Sequence, residues 1–385
     1  MKDSWDTFLQ RREAERLAAG LERALKAFDG AGPRQSLDGR KVLSFASNDY
    51  LGLSQHPEVL AGACAAIKNF GAGSTASALV CGNKTIHARL ARALAEFKNT
   101  ESALILPSGY QASLATLGAL ADDETSILLD KLSHASLIDG ARLSGARVRT
   151  FQHNDLADLK NLLLKESARR CIVVVESLYS MDGDLAPLEE LIALTRESGA
   201  LLLVDEAHST GVIEIASLKN AGTHVIRLGT LSKALGAQGG FVCATGRLTA
   251  EILNGRAHMF STALNPGSAG AALAALSIVA GDEGRRLAAR LKQISDKLRS
   301  DVRALGFETP STEGPILPLI VGDEARAVAA SKALYDAGFF VPAIRFPTVK
   351  RGEARLRISV SAAHTELECE GLLRELRLWK SEVKS

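Results

Sequence analysis

Apolar and polar positions change period several times along this chain. Between residues 5 and 28, Leu9, Leu17, Leu21, Leu25 and Phe28 recur near helical spacing with charges between them, which predicts an amphipathic helix. Around Asp38-Gly39 the pattern shortens to two brief strands joined by a strong hairpin signal. From about residue 57, short apolar runs alternate with helical patterns. The runs at 102–106, 126–130, 147–151, 171–176, 201–205, 224–229 and 240–244 read as strands. Helical periodicity at 85–97, 156–165 and 188–196 fills gaps between them.

Short apolar strands separated by helices predict an α/β fold, with a mainly parallel seven-stranded sheet sandwiched by helices. After residue 265 the texture changes. A long helical stretch to about residue 305 leads to a strand at 316–321, a helix at 325–337, and strands at 340–344 and 354–360. A final helix opens on Thr365-Glu-Leu-Glu368, a capping box. This pattern predicts a smaller α+β C-terminal domain. The expected organisation is a helix and hairpin over 1–46, a large domain over 47–275 and a small one over 276–385.

Composition alters this picture little. For 385 residues, 46% hydrophobic and 23% charged content is that of an ordinary globular protein. A net charge of +2 gives no electrostatic case for nucleic acid or acidic membranes. The alanine-rich run at 267–281 is shorter than the ~20 residues that span a bilayer, and its small side chains suit close helix packing. No apolar signal core follows Met1, so a cytoplasmic protein is expected. Five cysteines, widely spaced and odd in number, suggest buried thiols in a reducing compartment rather than a disulfide or zinc framework.

Candidate chemistry gathers where predicted strands end. Leu201-Leu-Leu-Val-Asp-Glu-Ala-His208 is an apolar strand running out into an acid and a histidine, and Lys233 follows 25 residues after His208 in Gly229-Thr-Leu-Ser-Lys233-Ala-Leu-Gly236. In parallel sheets the ligand lies at these carboxyl ends. Asp205 for a pyridinium nitrogen, His208 as donor to a phenolic oxygen and Lys233 for an aldehyde together meet the needs of pyridoxal 5'-phosphate. Thr230 and Ser232 add hydroxyls, while Ala234, Gly236, Gly239 and Gly240 are expected to leave room for a bulky ligand. Ser108, Gly109 and Tyr110 form a strand end, turn and helix start suited to a phosphate. His134, in Leu132-Ser-His-Ala-Ser-Leu137, is placed to stack on the ring, and Glu176 and Ser180 also follow a strand. Gly183 in Asp182-Gly-Asp184 reads as turn chemistry, and no metal site is expected.

The chain resembles the α-oxoamine synthases, which condense an amino acid with an acyl thioester and release carbon dioxide. Ser47-Asn-Asp-Tyr-Leu-Gly-Leu53, Leu132-Ser-His-Ala-Ser-Leu137, Ser180-Met-Asp-Gly-Asp184, Asp205-Glu-Ala-His208, Gly229-Thr-Leu-Ser-Lys233 and Ala354-Arg-Leu-Arg357 carry the resemblance in family order. It implies a fold-type I pyridoxal phosphate transferase. Lys233 would join the cofactor, Asp205 meet the ring nitrogen, His208 and Ser180 touch ring substituents, His134 stack, and Thr230 hold phosphate. Arg357 would pair with the amino-acid carboxylate, with Asn48 and Thr348 near the substrate and Arg23 near the far end of the acyl chain. Ser261 and Thr262, in Phe260-Ser-Thr262, would reach a partner subunit's phosphate, which implies a homodimer with interfacial active sites.

His153-Asn-Asp155, Pro318-Leu-Ile-Val-Gly-Asp323 and Ala343-Ile-Arg-Phe-Pro-Thr-Val349 resemble the biotin-pathway branch, whose substrates are L-alanine and a pimeloyl thioester of CoA or acyl carrier protein (ACP). Glycine with acetyl-CoA, another condensing member, an aminotransferase or β-lyase, and a non-catalytic fold stay open as alternatives. The chain departs from the family pattern at Ala78, Lys350 and Ser209, the first two bearing on the acyl donor.

Overall fold

Seven apolar strands form one sheet in this computed structural model, which describes residues 4–18, 22 and 24–382. In spatial order they are Ser102–Leu106, Gly240–Ala244, Val225–Thr230, Leu201–Asp205, Arg170–Glu176, Thr125–Asp130 and Arg147–Phe151. Gly240–Ala244 runs antiparallel to both its neighbours, and the other six point one way. The mainly parallel seven-stranded sheet expected from the apolar runs is therefore present. Both faces are dry over the central strands, which explains their lack of polar alternation, while the edge strand Arg147–Phe151 is largely unburied. Leu203, Ile172 and Val174 pack with Leu106, Ile127 and Ile226 on one side. Leu202, Val204, Val173 and Val175 pack with Leu159, Leu188 and Ile192 on the other.

Register places the working ends together. Glu176 pairs with Asp205, and Asp205 with Leu228, so the carboxyl ends of adjacent strands form one rim. A second antiparallel sheet joins Ile316–Gly322, Ala354–Ser359 and Ala343–Ile344. On Ala354–Ser359 alternation turns Leu356 and Ile358 into the core, while Arg355 and Arg357 reach the 180–182 segment. The final helix, Glu366–Glu382, has the expected capping box: Thr365 N–H donates to Glu368 Oε2 at 2.7 Å and Glu368 N–H to Thr365 Oγ1 at 3.3 Å.

Several local expectations change. The first helix spans Trp5–Ala18 and buries none of its residues. Phe28 lies instead on a short strand, its ring edge-on to Phe340 at 5.0 Å, so an aromatic contact captures the end of the periodic stretch. The single strand expected at 340–344 is two, Phe339–Phe340 and Ala343–Ile344, in different sheets. Pro342 lies between them, where it cannot donate a ladder bond. The helical stretch after 265 breaks at Gly281 into Pro266–Ala280 and Asp282–Ala304. All five cysteines are free, but Cys64 and Cys81 are exposed, on the helix Pro57–Phe70 and in the short π-helical segment Ala78–Gly82.

The alanine-rich helix Pro266–Ala280 packs against Pro57–Phe70 with backbones in contact. A Cβ on Gly270 would lie 2.4 Å from the Gly62 carbonyl oxygen, and one on Gly62 would lie 2.8 Å from that of Gly270. No rotamer relieves a Cβ clash with backbone. Gly270→Val should therefore lower the unfolding free energy by about 1–3 kcal/mol, the usual cost of overpacking, measured as a shift in urea midpoint. An unchanged midpoint would show that the helices separate freely.

Candidate active site

The polar rim at the strand ends is centred on Lys233. Its loop is held by backbone bonds from Leu231 N–H to Gly239 O at 2.9 Å and from Gly236 N–H to Lys233 O at 2.9 Å. Gly236 has φ +59°, and a Cβ there would meet Ser54 N at 2.4 Å; a Cβ on Gly240 would meet Ser108 O at 2.3 Å. These glycines therefore serve close chain packing. Together with Gly239 against Leu231 and buried Ala234, they do not open the ligand space expected of them.

Lys233 Nζ lies 2.7 Å from His208 Nε2, and His208 Nδ1 lies 2.6 Å from the Tyr50 hydroxyl. Burial disfavours the ammonium and brings the Lys233 pKa down to about 8, against the pull of Asp205 and Glu176 and with help from Arg357. Burial also keeps His208 neutral, its pKa far below the usual range, with Lys233, Arg357 and His134 adding to the effect. Asp205 is buried at its strand end and accepts from Ala207 N–H at 2.8 Å; desolvation raises its pKa to about 6 although Lys233 opposes. Glu176 is raised to about 8 by burial and then by the Asp205 charge, and its Oε1 is buried without a hydrogen bond.

Arg357 enters from the C-terminal sheet. Its Nε donates to Ser180 O at 2.6 Å, and its Nη1 to Ser359 Oγ at 2.8 Å and Asn48 Oδ1 at 3.4 Å. The structure thus joins Asn48, Ser180 and Arg357 to the Lys233 cluster. His134 caps the helix Ala135–Leu143: its Nδ1 accepts from Ser136 N–H at 3.2 Å and lies 2.8 Å from Ser136 Oγ, leaving the ring exposed. Ser108 caps the helix Gly109–Leu120, and a Cβ on Gly109 would approach Thr230 Cβ to 3.1 Å, which brings Thr230 beside that helix start. Thr230 Oγ1 donates to Gly239 O at 2.9 Å and lies 2.7 Å from Ser232 Oγ.

Other expected residues have their own local partners. Tyr110 is exposed and bonds Asp139. Ser261 Oγ donates to Thr262 O, Thr262 bridges to Ser77, and Thr348 is exposed in a turn closed on Arg345 O at 3.0 Å. Arg23 and Leu21 lie outside the described residues. Gly183 adopts φ +67°, with Asp182 bonded to Arg355 at 2.7 Å and Asp184 to His153 at 2.8 Å, which is turn chemistry.

Supports that sequence reasoning passed over are buried charges and hydroxyls. Glu206 is gripped by Arg227 Nε at 2.5 Å and Lys98 Nζ at 2.8 Å, tying the Asp205 strand end to the helix Thr85–Lys98. Ser209 Oγ lies 2.7 Å from Ser177 Oγ, whose hydroxyl donates to Asp205 O at 3.1 Å, so this departure has a local partner. Tyr50 and Glu206 fall inside quoted motifs, the one signal available for them. His153 sits between Asp130 at 2.9 Å and Asp184 at 2.8 Å, edge-on to Tyr179. It thereby fastens the segments bearing His134 and Ser180.

The pattern of class I and II aminotransferases matches residues 40–376. The chain belongs to that family. It is 46% identical to 8-amino-7-oxononanoate synthase of Maricaulis maris over 88% of this chain and 87% of the other. It is 44% identical to that of a Methylobacterium species over 97% and 96%. A solved serine palmitoyltransferase from S. paucimobilis, with a bound PLP–myriocin aldimine, superposes with TM-score 0.92 at 27% identity over the whole of both chains. These relatives bear out the α-oxoamine synthase resemblance and the fold-type I expectation.

His153 yields a prediction for this family member. Burial lowers its pKa, but bonds to Asp130 and Asp184 outweigh that and raise it to about 10 from 6.5. A raised folded-state pKa contributes stability fully present below 6.5 and lost as pH climbs through about 10. His153→Gln should cost roughly 2–4 kcal/mol near neutral pH, and the gap to the parent should close toward pH ~10. Urea titrations at several pH values measure it; a gap independent of pH would contradict the imidazolium bridge.

Proposed function

We propose that this chain uses pyridoxal 5'-phosphate to condense L-alanine with a pimeloyl thioester of CoA or ACP, giving 8-amino-7-oxononanoate, carbon dioxide and the free thiol, in biotin biosynthesis. The observation that carries this reading is full-length kinship to enzymes of that name, joined to a part-buried lysine beside a buried histidine and acid that receive Arg357 from the second sheet. The residues fit the cofactor. Glu176 Oε1 is an orphaned buried acceptor, and Gly109 leaves a cradle beside Thr230 that a Cβ would crowd. Asp205 would meet the ring nitrogen, His208 and Ser180 the ring substituents, and His134 the ring face. Ser108, Gly109, Tyr110 and Thr230 would surround the phosphate.

When bound, pyridoxal phosphate supplies an electron sink for negative charge at the amino-acid Cα. Arg357 holds the substrate carboxylate, with Asn48 beside it. Lys233, its ammonium disfavoured by burial, takes the Cα proton as a neutral amine and returns a proton after decarboxylation. His134, exposed at a helix start, is placed to polarise the new ketone. Ser261 and Thr262, whose contacts here are to each other and to Ser77, would serve the partner's site in a homodimer. Thr348 would lie near the substrate, and Arg23 near the far end of the acyl chain. Among the described residues no helix is long and apolar enough to cross a membrane, which agrees with a cytoplasmic enzyme on small molecules.

A panel of alanine, glycine and serine against pimeloyl-CoA and acetyl-CoA, scored for thiol and carbon dioxide release, tests the proposal. Alanine with pimeloyl-CoA should give the highest kcat/KM; preference for glycine with acetyl-CoA, or no thiol release, would overturn it. Arg357→Lys should raise KM for alanine about 10–100-fold, the cost of one charged hydrogen bond, with the thioester KM little changed.

A further inference from the structure

Asn48 Oδ1 lies 3.4 Å from Arg357 Nη1 and 3.0 Å from the Tyr50 hydroxyl. Arginine can only donate, so the Asn48 atom facing it is the carbonyl oxygen. An amide oxygen can only accept, so the single Tyr50 hydroxyl proton is committed to Asn48. Tyr50 then has only lone pairs for His208 Nδ1, 2.6 Å away, and that nitrogen must carry a hydrogen. The imidazole is neutral, so Nε2 is bare and accepts from Lys233 Nζ at 2.7 Å.

We propose that Tyr50, ordered by Asn48 and Arg357, is a positioning residue that locks His208 as its Nδ1–H tautomer and presents a proton-accepting Nε2 to Lys233. The arrangement also couples two ends of the site: Arg357, which receives the substrate carboxylate, orders the amide that orders the phenol. Tyr50 is wholly buried, so no solvent can replace either of its bonds. The inference concerns the lysine–histidine pair and does not depend on which thioester is used.

The test uses the full-length, cofactor-free protein labelled with 15N-histidine. The His208 spectrum should show a protonated Nδ1 and an unprotonated Nε2. In Tyr50→Phe the Nδ1 partner is gone, and the ring should turn to the Nε2–H form. A donor would then face Lys233, so the pH inflection for its reaction with an added aromatic aldehyde should fall below that of the parent. In Asn48→Ala the Tyr50 proton is released to Nδ1, and the same change of tautomer is expected if Tyr50→Phe fails to fold. A parent spectrum with Nε2 protonated overturns the proposal outright. So does a folded Tyr50→Phe or Asn48→Ala protein with the parent tautomer and the parent inflection. Condensation assays report separately on the proposed substrates, so failure of one reading is distinguishable from failure of the other.

Discussion

The burial of one amine governs this site. Lys233 is part-buried at a strand-end rim, where desolvation works against its charge and the carboxyl groups of Asp205 and Glu176 work for it. The balance leaves the lysine far more easily discharged than a surface lysine, which a nucleophile and base require. It acts in return on the acids. Glu176 and Asp205 both hold protons more tightly than usual because they are buried, and Asp205 raises Glu176 further. Moving any member of this set changes the protonation of the others.

Holding buried ionisable groups in place demands rigid supports, and the fold supplies them in two layers. Parallel strands bring Asp130, Glu176, Asp205 and Thr230 to one rim by register alone. Beneath it, Lys98 and Arg227 hold Glu206, while His153 bridges Asp130 and Asp184. Such bridges cost desolvation on folding, and removing one partner strands the other charge. The second sheet adds what the first cannot, a guanidinium aimed across the loop at Ser180.

Much of this was legible in the chain. Apolar runs that lie inside the sheet have a simple signature, so those at 201–205 and 240–244 match the observed strands residue for residue, as do the expected strands at 102–106 and 147–151. Asp205, His208 and Lys233 were legible because polar residues closing an apolar strand have few other reasons to be there. Tyr50 was hidden because its role depends on a histidine 158 residues away. The glycines after Lys233 were misread because a small residue looks the same whether it admits a ligand or another stretch of backbone. The end of the first periodic stretch was misread because period reports a face and says nothing of what covers it.

The titration of Lys233 in the cofactor-free protein tests the central claim most directly. It is read as the pH dependence of the rate at which added pyridoxal phosphate gives the yellow lysine adduct. The account predicts an inflection near 8, well below the ordinary 10.5, that falls further in Asp205→Asn. An inflection at the ordinary lysine value, unmoved by Asp205→Asn, would contradict it.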